Sequence, residues 1–177
     1  TFLNLHKKIE GIDISPIYHN NQTSFSPNFP DEIINIQKID ASDAKKANKI
    51  ALTALNTGAN GLCFSSPNNI EILLKDIKTE YIKTDFIDVD ASFVKKLTDY
   101  CNKNTLIGSL ETSNSFNIKN VKKKITVDGE TIAEEIKNAL LNGKKYNEEI
   151  EFHFTIGKNF FFEIAKLRAF RILWKSE

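Results

Sequence analysis

Three aspartates, Asp85, Asp88 and Asp90, fall close together in YIKTDFIDVD, a D-x-x-D-x-D spacing. Carboxylates gathered at a strand end are hard oxygen ligands of the kind that hold Mg²⁺. Asp90 can equally serve as a helix cap, accepting from the free N–H groups that follow it. The histidines are His6, His19 and His153. No two stand at ligand spacing and no cysteine is near them in sequence, which argues against zinc. Strand alternation in IEFHFTI groups His153 with Glu151 and Thr155, and puts Phe152 and Phe154 on the other face. Facing the lumen of a barrel near a strand's C-terminal end, His153 could be catalytic; the alternative is a hydrogen-bonded structural histidine. Cys63 lies inside GLCFSS and reads as a small buried hydrophobe rather than a nucleophile. Nucleophile-elbow, dinucleotide and P-loop glycine patterns are all absent. The run Lys122–Lys123–Lys124 reads as a solvated strand edge.

The richest segment is GKNFFFEIAKLRAFRILW, residues 157–174. Its apolar residues cover nearly every side of a helix, which predicts a buried element. Glu163 and Lys166 are spaced to pair on the helix itself. Arg168 and Arg171 are the only arginines among 24 basic residues. On a buried helix they need carboxylate or carbonyl acceptors from elsewhere, and Arg168→Ala is then expected to cost roughly 3 kcal/mol or more.

The elements that would position these residues alternate regularly. Strands are expected at 33–39, 61–66, 81–89, 105–110, 123–127 and 150–156. Helices are expected after Asp40 or Ser42, over 68–77, after Asp90, after Asp128 or Thr131, and from Asn159 to about Trp174; Gly58 and Asn142-Gly143 are the stops of the first and fourth. Residues 111–121 form a polar connection. The N-terminal 1–30 is irregular, with a short extended piece at Ile12, Ile14 and Ile17 and a loop over 18–30, and 31–177 carries the β/α succession. The fold class is α/β: either a doubly wound sheet or a partial or complete (β/α) TIM-type barrel. A complete barrel typically needs about 250 residues, so units beyond Glu177 are expected.

The chain has 177 residues and a net charge of +1, with 41% hydrophobic and 27% charged residues. Such balance gives no electrostatic reason for a nucleic-acid or membrane partner. No apolar run reaches the ~18 residues of a membrane span. Two isolated cysteines suggest reduced thiols in a cytoplasmic setting. Abundant Lys, Ile and Asn suggest an AT-rich genome, and the absence of Met suggests a trimmed fragment.

FTIGKNFFFEIAKLRAFRILW closely resembles a motif of the methylmalonyl-CoA mutase family: a barrel strand, a glycine, an aromatic pair and E-I-A-K-L-R-A-x-R-x-L-W. GIDISPIYHN, ANKIALTALNTGANGLCFS and DGETIAEEIKNALLNGKKY resemble other family segments, so the likeness extends over roughly 11–174. It implies a (β/α)8 barrel that binds an acyl-CoA through its axis and works with adenosylcobalamin held in a separate domain.

Two features depart from the catalytic pattern. The family's cobalamin-ligating D-x-H-x-x-G is absent; the nearest approach is Glu151-x-His153 followed by Gly157. Aligned on Gly129, the substrate-site Tyr-His of catalytic barrels is replaced by Lys123-Lys124. The resemblance therefore implies a non-catalytic small (beta) subunit, with no catalytic, cofactor or metal residue of its own. It would stabilise the catalytic large subunit, and adenosylcobalamin would enter only in the assembled enzyme. Two alternatives stand beside this: a competent mutase barrel using cobalamin from another chain, and a free-standing small-molecule binding domain.

Overall fold

The computed structural model describes residues 6–15 and 33–176. His19, Ile17 and the expected loop over 18–30 lie outside the described residues. Two short strands, β1 (Lys7–Ile9) and β2 (Ile12–Ile14), form an antiparallel hairpin apart from the main sheet. Its turn is Glu10-Gly11, both at positive φ.

The body is a six-stranded sheet of β3 (Ile36–Asp40), β4 (Gly61–Ser65), β5 (Lys83–Ile87), β6 (Ile107–Leu110), β7 (Val121–Val127) and β8 (Ile150–Phe154). The spatial order follows the chain order and every pairing is parallel. Among the described residues the order never reverses, the sheet is open with β3 and β8 as its edges, and no closed barrel is formed. Right-handed crossovers that always advance in one direction put every helix on the same face.

Those helices are α1 (Ala44–Asn56), α2 (Ile70–Leu73), α3 (Ala91–Cys101), α4 (Ile132–Gly143) and α5 (Phe160–Lys175). Their starts follow local chemistry. Asp90, Thr131 and Asn159 accept from the N–H groups of Phe93, Glu134 and Phe162 as the N-caps of α3, α4 and α5. For α1 the cap is Asp43, not Asp40 or Ser42: its Oδ1 takes the N–H groups of Lys45 and Lys46. Asp40 instead closes the preceding turn by accepting from the Ser42 N–H. Gly58, at φ 110°, follows the Thr57 C-cap in a conformation that L side chains resist. The helix expected over 68–77 is a single turn; Asp76 at φ 62° breaks it, yet Ile70, Leu73, Leu74 and Ile77 all point inward.

One core joins Ile39, Leu62, Phe64, Phe86 and Leu110 to the inner faces of α1, α2 and α3. A second packs Ile125 and Val127 with Phe152, Phe154, Phe170 and Trp174. No helix bridges β6 and β7. Ile118 and Phe116 of the connection pack on the first core in its place. Gly108 permits the close approach of β6 to β5, since a Cβ there would sit 1.7 Å from the Thr84 carbonyl oxygen.

The expectation that α5 is buried on nearly every side is not met. Only the stripe of Glu163, Lys166 and Phe170 is buried. Phe160, Phe161, Ile164, Ile172 and Leu173 are exposed, as are Arg168 and Arg171. The sheet covers one side of this helix, and no described residue lies over the other. The charges that are buried are Glu163 and Lys166, which pair at 2.6 Å as their spacing predicts.

Candidate functional site

Strand register aligns the face turned away from the helices. Lys38, Cys63, Asp85, Ser109 and Lys122 are successive neighbours across β3 to β7, and Lys124 stands beside Glu151 across β7 and β8. Period-two alternation sends these residues to one side and Ile39, Leu62, Phe86 and Ile125 to the other. The result is a polar layer opposite an apolar one.

Asp85 is the centre of this layer and is fully buried. Its Oδ1 accepts from Ser109 Oγ at 2.8 Å, and its Oδ2 from Lys124 Nζ at 2.9 Å. Lys83 Nζ lies 3.7 Å from Oδ2 and also pairs tightly with Glu151. Two ammonium groups thus meet two carboxylates, and the cluster is neutral. Burial alone would lower the Lys124 pKa, but the Asp85 charge and hydrogen bond outweigh it and hold that pKa above the usual lysine value. Cys63 sits in the same row. Burial pushes its thiol up, more than the Lys124 charge pulls it down, so it is a poor nucleophile.

The three expected aspartates therefore do not converge. Asp85 faces the polar layer with both oxygens engaged, and Asp90 caps α3. Asp88 follows β5 in a left-handed conformation, φ 54°. Among the described residues no three His, Cys, Asp or Glu side chains are grouped to hold a metal ion.

The lysine run is not a solvated edge. Lys122 is half-buried and alone keeps contact with solvent, in an ion pair with Glu149 at 2.7 Å. Lys123 turns to the helix side and is almost wholly buried. Its Nζ donates to the Asn114 carbonyl at 3.0 Å and lies 4.2 Å from the centre of the Tyr146 ring. Burial lowers its pKa. The adjacent pair Lys123-Lys124 thus splits between two faces, because neighbours on a strand point opposite ways.

His153 shares the polar face with Glu151, as the alternation requires, and stands beside Thr126. It is exposed, and its imidazole makes no hydrogen bond or ion pair with the described residues. A metal-ligating imidazole needs its second nitrogen fixed by an acceptor. His153 lacks that support, and Glu151 is committed to Lys83. These residues do not fit the lower ligand of a cobalt corrin. His6 is also exposed, far along the chain in front of the hairpin.

Lys83 and Ser109 were not singled out from the sequence. A signal for them exists in the alternation: Lys83 and Asp85 share one face of β5, as Glu151 and His153 share one face of β8, and Ser109 stands between Gly108 and Leu110 in β6.

A family model for methylmalonyl-CoA mutase matches residues 126–177, from the end of β7 through α4, β8 and α5. This part of the chain is similar to that family. No curated protein matches the chain. No helix among the described residues is long and apolar enough to cross a membrane.

Proposed function

We propose that this chain is the barrel portion of a non-catalytic small subunit of an adenosylcobalamin-dependent methylmalonyl-CoA mutase. That enzyme interconverts methylmalonyl-CoA and succinyl-CoA, and the role of this chain is to stabilise the catalytic large subunit in the cytoplasm. The match over 126–177 supports the family. The sequential, one-directional strand order supports reading the sheet as part of a TIM-type (β/α) barrel.

The observation that carries the non-catalytic reading is the Lys124–Asp85 pair. Lys124 occupies the place where the family resemblance puts a substrate-site imidazole. Its proton is held by a buried carboxylate, and Asp85 has no free oxygen with which to take a proton in return. A neutral, satisfied ion-pair layer stabilises the interior of a barrel; it offers neither acid nor base to a thioester.

The test is assembly. The chain, mixed with the large mutase subunit from the same genome, should elute with it as one complex. Alone it should neither bind adenosylcobalamin nor convert methylmalonyl-CoA. Two separate elution peaks overturn the partnership. Stoichiometric cobalamin binding in a visible-spectrum titration, or turnover by the chain alone, overturns the non-catalytic role.

A further inference from the structure

The outward face of α5 combines two features rarely left together in solvent. Phe160, Phe161, Ile164 and Ile172 are large, apolar and exposed. At 100° per residue they fall on the same side of the helix as Arg168 and Arg171. The helix's sole acid, Glu163, is on the opposite, buried side and is taken up by Lys166. Neither arginine has a carboxylate within 4 Å among the described residues. The face is thus apolar, cationic and without any neutralising charge of its own. In a chain that otherwise uses lysine, the two rigid guanidinium forks are confined to this one surface. Guanidinium groups suit desolvated, bidentate contact with carboxylates better than ammonium groups do. Phe161 carries the face onward into an apolar groove of about 440 Å³ between α4, α5 and the β2 strand, where Ile12, Ile14 and Ile136 line it.

We propose that this face of α5 is a docking surface for a helix of a partner protein that presents apolar side chains flanked by carboxylates. Resting on the function proposed above, that partner is the large mutase subunit. Exposed aromatics with adjoining arginine are the composition of an interface centre, not of solvated surface. Charge complementarity decides the partner's chemistry: an apolar partner without acids would leave both guanidinium groups desolvated and unpaired, which is costly. Phe161 is the anchor side chain at the edge of the groove, and the arginines fix register.

The experiment measures binding of the chain to the large subunit from the same genome by calorimetry. The double charge reversal R168E/R171E should raise Kd about 100-fold, and the neutral R168Q/R171Q about tenfold. Phe161→Ser should also raise Kd about tenfold. The wild-type Kd should weaken with added salt and that of R168Q/R171Q much less. All substituted positions are exposed, so far-ultraviolet circular dichroism and thermal melting should match the wild type. A tight wild-type complex that all three variants form equally well overturns this surface while leaving the proposed function intact. No wild-type complex at all overturns the proposed function and this surface with it. Co-sedimentation of the wild type with vesicles of phosphatidylcholine and phosphatidylglycerol, lost in R168E/R171E, assigns the face to an anionic membrane and overturns the protein partner.

Discussion

Lys124 on β7 reaches across β6 to place its ammonium 2.9 Å from the carboxylate of Asp85 on β5, and both groups are closed off from water. Ser109, on the strand between them, donates to the other carboxylate oxygen. Three neighbouring strands are thereby tied through side chains as well as through their backbone ladder. A buried pair of this kind is costly to break from one side, because the partner left behind is a desolvated charge.

Lys124→Ala should therefore destabilise the fold by about 3–5 kcal/mol, and Asp85→Ala by a similar amount. Replacing both by leucine should recover most of the loss, since no charge is then stranded. Urea denaturation of the three variants checks this. Single variants that unfold at the wild-type midpoint would show the pair to be solvated.

The two thiols should be inert in the folded protein. Burial raises Cys63, and it pushes Cys101 up to about 11. At pH 8 the thiolate fraction of such a group falls roughly two orders of magnitude below that of an ordinary cysteine. A colorimetric thiol reagent should react slowly with the native chain and at once in denaturant. Rapid native labelling would place at least one thiol at the surface.

The β/α succession was legible because its signals are local. Alternation marks the strands, and Asp90, Thr131 and Asn159 are capping residues at the start of apolar periodicity. The single-turn α2 was overextended because Ile70, Leu73, Leu74 and Ile77 keep helical spacing while Asp76 turns the backbone away. The polar layer was only half legible. Alternation gives the face of each residue, but the reach from Lys124 to Asp85 spans 39 positions and depends on strand order, which no local pattern encodes. Reading Lys122, Lys123 and Lys124 as one solvated edge failed for a simpler reason: adjacent strand residues diverge, and both faces of β7 are covered at Lys123 and Lys124.

Alkaline pH should weaken the fold through Lys124 and Lys166. Desolvation opposes the charge of each, but carboxylate partners more than compensate, and both folded-state values lie above the unfolded value of about 10.4. Their stabilisation is thus complete below pH ~10.4 and is lost as pH rises through the folded values. Lys123 acts in the opposite sense: burial lowers its value, so the penalty of charging it fades as pH climbs toward ~10.4. Thermal melts between pH 8 and 11.5 should show a fall in the wild type at the alkaline end, flattened in Lys166→Met. An identical slope in both proteins would remove Lys166 as the cause.

The last contrast lies on one helix, two residues apart. Lys166 is almost fully buried, with Glu135 and Glu163 each 2.6 Å from its Nζ and the Thr155 carbonyl accepting at 2.9 Å. It joins α4, α5 and the end of β8. Removing it strands two carboxylates in a poorly hydrated site, so Lys166→Ala should cost about 3–5 kcal/mol. Arg168 is exposed, makes no ion pair among the described residues, and leaves nothing unsatisfied when it goes. Arg168→Ala should change the stability of the isolated chain by no more than about 0.5 kcal/mol. The sequence alone suggests the reverse emphasis, since arginine is rare in this chain and lysine is everywhere. Geometry decides otherwise: residue 166 lies over the sheet and residue 168 is turned through 200° away from it. Chemical denaturation of the two variants side by side measures the difference directly. Equal midpoints for Lys166→Ala and Arg168→Ala would mean that α5 sits on the sheet in a different rotation from the one described.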